Sequence, residues 1–208
     1  MGRWLDEILR PVREPLRRRR NRLRDDFVFI HINKTGGTSI EKALKLPFEH
    51  RTALEKIEEI GLEEWRRRFS FTVVRNPWGK VASHYHFRVR TNQTDLGRRP
   101  VPFGEWVRRA YRDHEPFYYD QPRMFMPQLR WITDGEGRLL VSFVASFENL
   151  RMDFELICRR IGVEAKLPHV KKSMDRPYSV YYDDESRKIV EEVFAEDIEY
   201  FGYSFDSG

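Results

Sequence analysis

Phe27-Val28-Phe29-Ile30-His31-Ile32-Asn33-Lys34-Thr35-Gly36-Gly37-Thr38-Ser39 decides the fold. The apolar run Phe27 to Ile30 predicts a buried strand, and Ile40, Ala43 and Leu44 carry the apolar spacing of a helix that begins just after the glycine pair. A strand that turns into a helix through glycines is an anion cradle. The glycines let the backbone approach a ligand closely, the first helical N–H groups have no partner within the helix, and the helix dipole favours negative charge there. Lys34 adds a mobile cation, and Thr35, Thr38 and Ser39 add hydroxyl donors. In a P-loop NTPase the lysine follows the glycines; here it precedes them, and the chain holds no complete Gly-x4-Gly-Lys-Ser/Thr pattern.

A second segment, Phe71-Thr72-Val73-Val74-Arg75-Asn76-Pro77, repeats the plan. Its apolar run reads as a strand, Pro77 suits the first turn of a helix, and Val81, Tyr85 and Val89 continue that helix at i, i+4 and i+8. Arg75 therefore sits at the carboxyl end of a strand, where open α/β sheets bind ligands, and its guanidinium suits bidentate contact with a phosphate.

Together the two segments resemble the sulfotransferases that use 3'-phosphoadenosine 5'-phosphosulfate (PAPS), in the branch of the carbohydrate sulfotransferases. Lys34-Thr35-Gly36-Gly37-Thr38-Ser39 is similar to the family's 5'-phosphosulfate loop, and Arg75-Asn76-Pro77 with Ser83 is similar to its 3'-phosphate motif. The resemblance runs on through Gln128 to Asp134, Phe147 to Leu150 and Ala195 to Tyr203, and covers about residues 27–205. It implies a single α/β domain with a central, mostly parallel sheet flanked by helices, in a P-loop-like sulfotransferase fold. The expected division is a basic amino-terminal tail over 1–26 and a sulfotransferase domain over 27–208.

The implied reaction moves a sulfuryl group from PAPS to an acceptor hydroxyl, most naturally on a carbohydrate, and leaves 3'-phosphoadenosine 5'-phosphate (PAP). Lys34 would meet the charge on the bridging oxygen, with the loop N–H groups, Thr38 and Ser39 around the 5'-phosphate. Arg75 and Ser83 would hold the 3'-phosphate. A helix that starts at Pro77 puts Ser83 about 9 Å along its axis, so the serine reaches a phosphate from the side. Relatives place a catalytic histidine between the two loops, which makes His50 the first candidate for the base; an imidazole accepts a proton near neutral pH without a large shift. Glu49 is an alternative base or a group that orients His50. His86 reads as facing the acceptor cleft, His84 as surface, and His31 as a structural support of the loop. Relatives also carry a basic segment over the 3'-phosphate, for which Ser173 and Arg176 are the candidates here. The histidines and acids have no metal-ligand spacing, and relatives need no metal.

A chain of 208 residues at 40% hydrophobic content fits one domain with a real core. No run reaches the roughly 20 apolar residues that span a bilayer, and no signal peptide opens the chain. Many animal relatives are Golgi proteins anchored by an amino-terminal helix, so the expectation is a cytoplasmic, bacterial form. The single cysteine, Cys158, excludes an internal disulfide and reads as a core thiol. Arg17 to Arg24 form a basic run that reads as a solvated tail, with a peripheral contact to an anionic surface as its other use.

Helices are expected over 53–68 with a break near Gly61, over 103–112, from Leu150 to Ile161 with Gly162 as cap, and from Asp184 to Tyr200. A strand is expected at Leu139 to Val144. The acceptor cleft is read into 86–104, with Arg88, Arg90, Gln93, Arg98 and Arg99, and into 114–130, with Tyr118, Tyr119, Arg123 and Gln128. Cations and aromatic faces together suit an acidic saccharide. Two readings from other classes stand beside this one: a P-loop-type nucleotide kinase, and a noncatalytic nucleic-acid or membrane-surface binder that uses the arginine run.

Overall fold

A computed structural model describes residues 26–168 and 176–206 of the chain. Apart from Asp26, the tail lies outside the described residues, and so does Ser173. Three strands, β1 (Phe27–Ile30), β2 (Phe69–Val74) and β3 (Phe143–Ser146), form one parallel sheet in the order β1-β2-β3. Phe27 pairs with Phe69 and Phe71 with Phe143, so the carboxyl ends of all three strands emerge on one edge. Each strand turns there into a helix: α1 (Gly37–Leu44) after β1, α4 (Pro77–Arg90) after β2 and α7 (Leu150–Ile161) after β3. Between β1 and β2 come α2 (Ala53–Ile60) and α3 (Leu62–Arg67), divided at Gly61 as expected. Between β2 and β3 come α5 (Phe103–Val107) and α6 (Leu129–Ile132), and the described chain closes with α8 (Asp184–Val193) and α9 (Ala195–Phe201).

The sheet is covered on both faces, as a parallel sheet must be. Phe27, Phe29, Phe71 and Val73 pack with Ile40 of α1 and with Phe154 and Ile157 of α7; Cys158 belongs to this layer. Val28, Ile30 and Val74 pack on the other side with Ala53, Trp65, Trp131 and Ile132. The two layers follow the alternation of side chains along a strand. A third cluster of Trp78, Val81, Trp106, Tyr111, Val190 and Phe194 holds α4 against α5 and α8 and so fixes the helix that follows Arg75.

Three sequence expectations are corrected. The strand expected at Leu139–Val144 lies at Phe143–Ser146, because pairing with β2 rather than hydropathy sets its limits; Leu139 makes only an isolated antiparallel bridge to Thr133. The helix expected over 103–112 is α-helical to Val107 and then widens into a π turn over Arg108–Arg112, which carries Tyr111 into the core. The last helix is two, because Phe194 leaves helical geometry at φ −110°, ψ 23° while its ring is fully buried. The break brings Asp197 inside. No helix among the described residues is long and apolar enough to cross a membrane.

Candidate active site

The turns after β1 and β2 meet over a cleft of about 900 Å³. In the first turn Lys34 and Gly36 take left-handed backbone angles, φ 66° and 87°, and α1 starts at Gly37. Asn33, Lys34, Gly36, Gly37, Thr38 and Ser39 all line the cleft. Thr35 does not: it is fully buried and its hydroxyl donates to the Ile32 carbonyl at 2.8 Å, so it braces the turn from behind.

Gly37 is required for space. A Cβ there would lie 2.0 Å from Cδ2 of the His31 ring. That ring cannot slide away, because its Nδ1 is 2.7 Å from the buried Glu41 carboxylate and its face stacks on Phe29. Gly37→Ala is therefore expected to force the turn open, at about 1–3 kcal/mol of stability as for other overpacked interiors, and to weaken anion binding at the cleft. A chemical denaturation curve checks the first effect; wild-type stability would show that the turn yields freely.

The second turn is held from inside the protein. Arg75 N–H donates to Oε1 of Gln128 at 2.8 Å, and Nε2 of Gln128 returns a bond to the Arg75 carbonyl at 2.9 Å. Gln128 is itself fixed by the buried carboxylate of Asp197, which accepts from the backbone N–H groups of Gln128 and Leu129 at 2.8 and 2.9 Å. This is what the break between α8 and α9 achieves. Asn76 caps α4 by accepting from Trp78 and Gly79, which leaves the Arg75 side chain, rather than the helix terminus, to meet a ligand. Glu148, the nearby carboxylate, is occupied by Asn76 N–H at 2.9 Å and by the Ser146 hydroxyl at 2.6 Å.

The two turns touch through Nη1 of Arg75, which donates to the Lys34 carbonyl at 3.2 Å. Both cations rest on aromatic faces, Lys34 Nζ 4.0 Å from the centre of the Phe87 ring and Arg75 4.0 Å from that of Phe147. Burial, reinforced by Arg90, Arg75 and Lys80, pushes the Lys34 ammonium down to about 8, and burial pushes Arg75 down to about 10. Such destabilised positive charge is what an incoming anion relieves.

His50 lines the cleft from the loop before α2. Its Nδ1 lies 2.8 Å from the His31 carbonyl; a carbonyl only accepts, so Nδ1 carries the proton and the neutral ring keeps its lone pair on Nε2. Burial is the main cause that holds its pKa below the ordinary histidine value. Arg123 does not line the cleft. It donates to the His50 carbonyl at 2.8 Å and pairs with Glu55, which ties the loop down. Glu49 faces a separate, smaller hollow and pairs with Lys56 at 2.8 Å, so its carboxylate does not orient His50.

On α4 the histidine assignment is reversed. Ser83, His84 and Phe87 line the cleft, whereas His86 packs against Tyr181. His84 is 3% exposed, with Nδ1 3.2 Å from the Tyr111 hydroxyl, and burial followed by Lys80, Arg88 and Lys34 holds its pKa well below the usual value. The signal was available: residues 80, 83, 84, 87 and 91 share one face of a helix that starts at Pro77.

Most of the arginines read into the cleft are elsewhere. Arg88 is buried and pairs with Asp120 at 2.8 Å, Arg98 and Arg99 are exposed outside it, and Tyr118 is core. Arg90 and Gln93 line it as expected, joined by Gln121 and Met124. Arg176 is exposed and does not line the cleft. Leu150 and Leu167 form its apolar wall near Phe147. No group of residues suited to a metal ion occurs among the described residues.

A family model described as the sulfotransferase family matches residues 22–204. The chain belongs to the sulfotransferase family. No curated protein and no solved structure matches it significantly. In this sulfotransferase the cradle after β1 and the arginine after β2 meet at the carboxyl edge of a three-stranded parallel sheet.

Proposed function

We propose that the protein transfers the sulfuryl group of PAPS to a saccharide hydroxyl by in-line displacement, with His50 as the base. The observation that carries this reading is the pair of aromatic-backed cations, Lys34 and Arg75, offered to one cleft from neighbouring strand ends and joined by a hydrogen bond. Two anionic groups on one ligand suit them, and PAPS carries its phosphosulfate and its 3'-phosphate on the 5' and 3' positions of one ribose. Thr38, Ser39 and the N–H groups at the start of α1 would hold the 5'-phosphate, Arg75 and Ser83 the 3'-phosphate, and Leu150 and Leu167 the flat face of the adenine.

The acceptor oxygen attacks sulfur while the bond from sulfur to the bridging phosphate oxygen breaks. Nε2 of His50 takes the hydroxyl proton, and Lys34 meets the charge that grows on the departing phosphate. Phe48, Phe87 and Met124 supply apolar faces for a sugar ring, Gln93 and Gln121 supply amides for its hydroxyls, and Arg90 supplies one cation. The acceptor is therefore a saccharide with few anionic groups rather than the heavily charged one that the arginine content suggests. Incubation with radiolabelled PAPS and a panel of neutral, singly charged and highly sulfated saccharides tests this: label should pass to the first two groups, and transfer only to highly sulfated chains would contradict it.

PAP affinity should depend on pH through Lys34. Because its ammonium is held at about 8, the charge is present below pH 8 and lost above it, and a bound phosphate raises that value. Affinity should fall on the order of tenfold between pH 7.5 and pH 9 in wild type and stay level in Lys34→Arg, whose charge persists. Titration calorimetry at the two pH values checks this, and equal slopes in both proteins would move the effect to another group.

A further inference from the structure

Glu41 is a carboxylate where the packing has no evident need of one. It follows the core residue Ile40 on α1, is 4% exposed, and faces no lysine or arginine partner among the described residues. Burial of a charge is costly unless the charge is hydrogen-bonded, so its contacts carry the explanation. Oε1 accepts from Nδ1 of His31 at 2.7 Å, with both side chains buried, and lies 3.4 Å from the backbone N–H of Glu49. Glu49 precedes His50, and His50 donates to the carbonyl of the same His31 at 2.8 Å. The two imidazole rings are 4.3 Å apart, Phe48 sets its edge against both, and the ring of His31 fills the space above Gly37.

We infer that Glu41 and His31 are positioning residues that connect the anion cradle to His50: the carboxylate locks the His31 ring and draws in the loop, and the His31 carbonyl fixes which nitrogen of His50 holds the proton. This rests on the reading of His50 as the base, but the arrangement itself can be tested without turnover. A carboxylate on α1 thus decides that Nε2, not Nδ1, faces the cleft unprotonated. Burial lowers the proton affinity of His50 and the hydrogen bond to the His31 carbonyl raises it; the Glu41 charge raises it further, against the His31 ring and Arg123, which itself pairs with Glu55.

The test is nitrogen NMR of the histidine side chains across pH in the full chain, with His50→Gln used to assign the signals. Wild type should show His50 as a single tautomer protonated on Nδ1. In Glu41→Gln, which preserves size and an acceptor oxygen but removes the charge, the titration midpoint of His50 should move to lower pH while the tautomer is retained. In Glu41→Asp, which keeps the charge, the midpoint should stay near wild type. In Glu41→Ala the locked ring is released and His50 should become a mixture of tautomers. A wild-type midpoint in Glu41→Gln together with a single Nδ1–H tautomer in Glu41→Ala overturns the inference. A failure of His50 as the base would show instead as an undiminished transfer rate in His50→Ala, while wild type and the Glu41 variants still give the expected NMR pattern.

Discussion

Lys34→Ala should lower the single-turnover rate of sulfuryl transfer by about 10²–10³-fold, the usual effect of removing one donor aimed at developing negative charge. The size follows from where the ammonium lies. It is half-buried, its charged neighbours are Arg90, Arg75 and Lys80, and it rests on the Phe87 ring, so no counter-charge must be displaced when the leaving phosphate develops its own. The fold should survive. Lys34 already adopts φ 66°, so alanine adds no new backbone strain, and removal of a charge held at about 8 relieves repulsion. The melting temperature should stay within about 3 °C of wild type. Rapid-quench measurement with saturating PAPS and an accepting saccharide checks the rate; wild-type turnover would remove Lys34 from the chemistry.

His50→Ala should lower the same rate by about 10²–10⁴-fold, the range of a positioned general base, with little change in PAP affinity. The two effects separate because His50 enters the cleft from the loop before α2, while the cations and the cradle come from the strand ends. The substitution also leaves the His31 carbonyl without its donor, and water can replace that bond at a half-buried site. The acid limb of the rate profile, set by protonation of Nε2, should disappear with the ring. A single-turnover rate equal to wild type would exclude His50 and turn attention to His84, the imidazole of α4 that lines the cleft.

The half of the cleft built from the ends of β1 and β2 was legible because it is local. An apolar run, a glycine pair or a proline, and a 3.6-residue spacing place Lys34 and Arg75 at the ends of β1 and β2 without any knowledge of the rest of the chain. The opposite half was not, because it depends on partners far away in sequence. Arg88 reads as a free cation until Asp120 pairs with it across 32 residues, and Arg123 until Glu55 does so across 68. His86 looked like a cleft residue from its nearness to Ser83, but the third cluster sets the rotation of α4 and turns His84 inward. Asp197 carries the same lesson. Its sequence neighbours suggest one continuous helix, yet its carboxylate serves Gln128, 69 residues away, and through it the backbone of Arg75.

The cleft should bind one nucleotide by two separate phosphates. Calorimetric titration of the purified chain with PAP, AMP and ATP, without added metal, tests it most directly. Loss of the 3'-phosphate removes charge-assisted hydrogen bonds worth about 1.5–3 kcal/mol, so AMP should bind about 10-fold to 100-fold more weakly than PAP. Equal affinity for PAP and AMP, or a preference for ATP, would contradict the account.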